Sequence, residues 1–119
     1  MVIMALQETI KHIPHTYPIV CLCGSTKFKD DFVYWSKWFT LEGCIVVMPM
    51  IFGHAGDQIT DIQKQELDNL HKEKIKMADI VFIINKNNYI GQSTQSEITY
   101  AKSLNKKIFY LEDFKEFKV

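Results

Sequence analysis

Ile80-Val81-Phe82-Ile83-Ile84 is the stretch on which the fold turns. Five consecutive apolar residues, mostly β-branched, with Ala78-Asp79 in front and polar Asn85 behind, read as a strand buried on both faces. Such a strand needs helices above and below it. Working backward, Asp61 stands as N-cap of a helix carrying Ile62, Leu67, Leu70, Ile75 and Met77, closed by Ala78-Asp79. Asp79 itself reads as a turn-capping group rather than a buried acid. Working forward, Asn85 to Gly91 is a polar loop. Thr94 to Asn105 is a helix with Ile98, Ala101 and Leu104 inward, and Ile108-Phe109-Tyr110-Leu111 is a last strand.

The same buried-strand signature appears twice upstream, in Ile19-Val20-Cys21-Leu22-Cys23, stopped by Gly24, and in Ile45-Val46-Val47-Met48 before Pro49. Between them Phe28, Phe32, Trp35, Trp38 and Phe39 recur at three- and four-residue spacing, with Gly43 at the C-terminal cap position. The two tryptophans sit on that stripe and read as core or subunit interface. The first 15 residues give a weak helical lead-in ended by Pro14 and Pro18. Strands alternating with crossover helices make an α/β fold, a parallel sheet of four to five strands covered on both faces, in a single domain over residues 1–119. Ligands bind such sheets where loops leave the carboxyl ends of the strands. Gly24–Lys27, Pro49–Asp57 and Asn85–Ser96 fall there.

Composition narrows the function classes. Fourteen Lys+Arg against fourteen Asp+Glu leave a formal charge of zero, which removes the driving force for binding a nucleic acid polymer or a membrane surface. The longest apolar runs are far short of the roughly 20 residues of a membrane helix, and the N-terminus has no basic, apolar, small-residue order of a secretory signal. Three cysteines without a CxxC pair draw neither a disulfide framework nor a zinc ribbon. Free thiols in a cytoplasmic protein are expected, with no metal and no cofactor.

Two loops carry the chemistry. Cys23-Gly24-Ser25-Thr26-Lys27 runs from strand into helix: Gly24 lets backbone approach a ligand, Ser25 and Thr26 offer hydroxyls and amides, and Lys27 adds positive charge, a set suited to a phosphate or a sugar hydroxyl. The same residues also suit an ordinary strand-to-helix turn with a Ser or Thr cap. Neither a Walker loop nor a GxGxxG fingerprint is present.

Gly91-Gln92-Ser93-Thr94-Gln95-Ser96-Glu97 is the second loop. Thr94-x-x-Glu97 fits a capping box, which would tie Glu97 to the Thr94 amide. It equally fits a carboxylate held ionised in a first turn and leaning toward the crevice, as a glycosidic nucleophile must be. His54 lies on a loop at the same edge and reads either as solvated or as a site residue, and His71 faces either crevice or solvent. No cluster of His, Cys and Asp has metal-ligand spacing, and no Ser-His-Asp order stands out.

Together, Leu22-Cys-Gly-Ser-Thr-Lys-Phe28, Ala78-Asp79-Ile-Val, and Gly91-x-Ser-Thr-x-x-Glu97-Ile-x-x-Ala101 followed by Lys106-Lys107-Ile-Phe resemble the nucleoside 2-deoxyribosyltransferase superfamily. Within it the motifs are most similar to those of the 2-deoxynucleoside 5-phosphate N-hydrolases, over roughly Ile19 to Leu111. The Gly-x-x-Thr-x-x-Glu pattern is also similar to that of the cytokinin-activating phosphoribohydrolases. The resemblance implies a flavodoxin-like or Rossmann-like three-layer sandwich, homodimers or higher homo-oligomers, and attack of Glu97 on an anomeric carbon. It implies that Ser25 and Lys27 hold a sugar phosphate and that Ser93 and Thr94 complete the pocket.

The chain departs from the family at two positions. His71 stands where an Asp assists the leaving base, and Cys21 where a Tyr often stands near the nucleophile. An imidazole titrates near neutrality and can protonate a base, and Tyr89 offers a hydroxyl or a stacking face. The expected activity is N-glycosidic cleavage of a nucleoside or nucleoside monophosphate, as hydrolase or transferase. The alternatives are a module that binds a nucleotide or nucleotide-derived signal without turnover, and an interaction domain that has kept only the fold.

Overall fold

The computed structural model describes residues 2–50 and 58–114 of the 119-residue chain. Four parallel strands, β1 (Ile19–Gly24), β2 (Ile45–Val47), β3 (Ile80–Ile84) and β4 (Lys107–Tyr110), form one sheet in the order β2-β1-β3-β4. The helices are α1 (Val2–Lys11), α2 (Lys29–Leu41), α3 (Asp61–Met77) and α4 (Gln92–Ser103), with 3-10 turns at Thr26–Phe28, Lys86–Asn88 and Leu111–Phe114. This is the α/β, flavodoxin- or Rossmann-like architecture, and its four strands are the lower of the two expected counts among the described residues.

β3 is buried at all five positions, and its period of two divides the core into two layers. Ile80, Phe82 and Ile84 join Val20, Leu22, Leu6, Phe32, Trp35 and Phe39 on the α1/α2 side. Val81 and Ile83 join Cys21, Cys23, Ile75, Ile98 and Ala101 on the α3/α4 side. Trp35 anchors the first layer, 4.9 Å from Phe82 and 6.2 Å from Phe39 between ring centroids. The stripe on α2 is therefore covered by the chain's own α1, β3 and the turn holding Phe114. Phe32, Trp35 and Phe39 are thus core, while Phe28 and Trp38 are only partly buried.

Several boundaries differ from the sequence reading for local reasons. Thr60, not Asp61, caps α3: its hydroxyl accepts from the Gln63 amide at 3.1 Å while Gln63 Oε1 accepts from the Thr60 amide at 2.9 Å. That reciprocal pair satisfies two backbone donors, which Asp61 could not match. α4 begins at Gln92 with Gly91 as its N-cap, two residues before the expected Thr94 start. Asp79 does not cap its own turn: its carboxylate accepts from the Ile19 amide at 2.8 Å and so ties the start of β1 to that of β3. No helix among the described residues is long and apolar enough to cross a membrane.

Candidate functional site

β1 and β3 end side by side, with Gly24 opposite Ile84, so the loops after them leave the sheet at one level. This is the point where the strand order reverses, the usual place for a ligand in an open α/β sheet. α3 and α4 close the sides of a cavity of about 490 Å³, within the usual range of small-molecule sites. Gly24, Ser25 and Thr26 line it from the β1 loop, and Tyr89, Gly91, Gln92, Ser93, Thr94 and Glu97 from the β3 loop and α4. Asp68 and His71 line it from α3, with Pro49 and Ile59 among the remaining contacts. A smaller notch of about 260 Å³ between α3 and α4 shares Asp68, Gln92, Ser93 and Glu97 with it.

Each loop has a local cause. Gly24 has φ +154°, and a Cβ there would lie 2.7 Å from the Ile84 carbonyl oxygen. Only glycine lets the backbone turn out of the sheet at that height. Ser25 Oγ accepts from the Lys27 amide at 3.4 Å, so it caps the following turn as well as lining the cavity. Lys27 is exposed, its Nζ 3.5 Å from the centroid of the Tyr89 ring, which puts the ammonium beside a residue that lines the cavity. Gly91 brings no side-chain cap to α4, which leaves the first-turn amides, the positive end of the helix, at the cavity.

Glu97 is not folded back on Thr94. Because α4 starts at Gln92, Glu97 sits in its second turn, and the capping box has no place in the helix. Its Oε1 lies 3.7 Å from His71 Nε2. So placed, the carboxyl group lies past the first turn, to which the helix dipole is confined. Burial is the largest influence and raises the carboxyl to about 7, with the negative charges of Cys21 and Asp68 adding to the rise and His71 and Cys23 opposing it.

Beneath Glu97 lies a buried cluster. Cys21 and Cys23 stand 4.0 Å apart between sulfurs, and His71 Nε2 is 3.2 Å from the Cys23 sulfur and 3.9 Å from that of Cys21. The Cys23 thiol donating to Cys21 lowers Cys21 to about 6, helped by His71 and Lys74 against the cost of burial. Cys23 is pushed well above the usual thiol range, by that same hydrogen bond first and by burial second. For His71, burial is the largest influence and pulls it down, but the hydrogen bond and charge of Cys21 and the charge of Glu97 outweigh it, and the net shift is upward. The pair thus loses its first proton early and its second late.

The structure brings Gly24, Ser25, Thr26, His71, Tyr89, Gly91, Ser93, Thr94 and Glu97 to one cavity. Cys23 and Lys27 do not line it: the Cys23 side chain is fully buried and turned to His71, and Lys27 is exposed over the Tyr89 ring. His54 lies outside the described residues. Two features escaped the sequence reading. Asp68 lies one turn before His71 on the same face of α3, a spacing that signals a shared face. The other is the Cys21–Cys23–His71 group, whose donor atoms lie within 4.8 Å of one another although their spacing in the chain is not that of a metal motif. Its signal was the one-residue gap between the cysteines, which on a strand turns both side chains the same way. No model of a known protein family matches the chain, and no curated protein matches it either.

Proposed function

We propose that the protein cleaves the N-glycosidic bond of a nucleoside or nucleoside 5-monophosphate, as the resemblance to the nucleoside 2-deoxyribosyltransferase superfamily implies. The observation that carries the reading is the Glu97 carboxyl group in a cavity bounded by the Gly24–Thr26 and Gly91–Thr94 segments and free of its own helix amides. A phosphate suits the uncapped start of α4 and the Ser25 hydroxyl, with Lys27 at the rim.

In this reading the ionised Glu97 attacks the anomeric carbon, the carbon–nitrogen bond breaks, and its electron pair leaves with the base. Asp68 lines the same cavity, and the departing base takes its proton from solvent. Water, or a second base, then attacks the glycosyl ester and frees Glu97. His71 has its Nε2 turned to the thiols and Glu97, so it serves as a positioning residue that favours the ionised carboxylate rather than as the proton donor implied by the resemblance. Assembly into homo-oligomers belongs to the same proposal.

The test is release of free base from a panel of nucleosides and their 5-monophosphates. Wild type releases base from at least one, and Glu97→Ala does not. No release by wild type, or undiminished release by Glu97→Ala, overturns the reading. The high proton affinity of Glu97 favours a second reading, a nucleotide-binding module without turnover. Nucleotides that raise the melting temperature yet stay intact would establish that one.

A further inference from the structure

Cys21 and Cys23 occupy alternate positions of β1, both turned toward α3 and α4, where His71 meets them from α3. Two elements thus bring two sulfurs and one imidazole nitrogen together, and Glu97 from α4 adds a carboxylate oxygen 3.7 Å from that nitrogen. We propose that Cys21, Cys23 and His71, with the Glu97 carboxylate as fourth donor, form a binding site for a thiophilic divalent cation of the zinc type.

The donor spacing carries the argument. Bond lengths of a tetrahedral zinc centre place two thiolate sulfurs about 3.8 Å apart, a sulfur and an imidazole nitrogen about 3.6 Å apart, and a nitrogen and a carboxylate oxygen about 3.4 Å apart. The corresponding separations here are 4.0 Å, then 3.9 and 3.2 Å, then 3.7 Å. Cys21, Cys23 and His71 donors all lie within 4.8 Å of one another; Glu97 stands just outside that group, 3.7 Å from His71 Nε2, and its side chain swings inward to complete the shell. Two thiolates and an imidazole exclude magnesium and calcium, which take oxygen ligands, and select a softer ion.

His71 Nδ1 has no hydrogen-bond partner among the described residues, so the polar anchoring of the ring is all at the cluster. On binding, the cation takes lone pairs from both sulfurs, Nε2 and a carboxylate oxygen, and the protons held there pass to solvent. Entry is past Glu97, which lines the cavity.

The site does not rest on the proposed activity. If that activity holds, cation and substrate compete for Glu97, and zinc inhibits until a chelator removes it.

Cobalt(II) is the probe, added to the full chain after chelator treatment under reducing conditions. One equivalent is expected to give a thiolate-to-cobalt charge-transfer absorption of two-sulfur intensity and tetrahedral visible bands, all bleached by zinc. Cys44→Ser, which leaves only Cys21 and Cys23 in a chain with three cysteines, keeps the full absorption. Cys21→Ser or Cys23→Ser reduces it to one sulfur, and Glu97→Gln weakens affinity at least about tenfold. Absence of the charge-transfer band in wild type, or its loss in Cys44→Ser, overturns the proposal. Should either serine variant of the cluster fail to fold, the Cys44→Ser chain alone decides. A chain that binds cobalt and releases no base keeps the site and loses the activity; one that releases base and gives no cobalt band does the reverse.

Discussion

His71 Nε2 stands between two chemistries, 3.7 Å from Glu97 Oε1 and 3.2 Å from Cys23 Sγ. One buried ring therefore couples a carboxyl group at the cavity wall to a dithiol beneath it. Protonation of any member changes the others.

Glu97 holds its proton to about pH 7 in the folded chain, against an ordinary value of 4.5. The folded state thus binds more protons than the unfolded state between those values, and this group's contribution to stability falls as pH rises from about 4.5 to about 7. Glu97→Gln removes that fall. In metal-free protein the melting temperature of Glu97→Gln minus that of wild type should grow across this window; a constant difference would contradict it. Base release, which needs the ionised carboxylate, should rise through the same midpoint.

Cys21→Ala removes the hydrogen bond and negative charge that raise His71. In chelator-treated protein, the titration midpoint of the His71 ring protons followed by NMR should move down relative to wild type. An unchanged or higher midpoint would place the charge elsewhere in the cluster.

Gly24→Ala forces a Cβ to 2.7 Å from the Ile84 carbonyl oxygen at a φ of +154°. Backbone strain and overlap together should cost about 2–4 kcal/mol, read by denaturant unfolding. Gly43→Ala, where a Cβ would meet nothing within 4 Å at φ +89°, should carry the strain alone, about 1 kcal/mol.

Thr60→Ala should cost about 1 kcal/mol by loss of the cap on α3. Asp61→Ala, which loses only a charge near the helix start, should cost about 0.3–1 kcal/mol and less at high salt. A larger loss for Asp61 would reverse the assignment.

Lys27→Ala frees Tyr89 and removes the ammonium at the rim. If the substrate is phosphorylated, KM for the monophosphate should rise about tenfold or more while KM for the unphosphorylated nucleoside stays within twofold, each a rough expectation for one charge-assisted contact. Equal effects on both would remove the phosphate from that position.

The strands were legible because each is a short apolar run closed by Gly, Pro or a polar residue, and β3 is buried along its whole length. The carboxyl-end loops followed from that order. Thr60 and Asp61 are both good cap types, and the deciding residue was Gln63, three positions after Thr60. The start of α4 was hidden because its cap is Gly91, which has no side chain to signal it. The proton affinity of Glu97 was out of reach in another way: it arises from burial against α3 and β1, contacts that join residues far apart in the chain. The same distance concealed the meeting of His71 with Cys21 and Cys23, some fifty positions away.

The pairing of Gly24 with Ile84 also governs which lengths of chain the molecule tolerates. A single residue inserted into or deleted from β1 or β3 would displace one loop against the other by about 3.3 Å, the rise of one strand position; ahead of Cys21 in β1 it would also turn Cys21 and Cys23 to the opposite face. The two strands must therefore keep their lengths in step, while a turn at the other end of the sheet, such as that after Ser103, can lengthen with less consequence for the cavity.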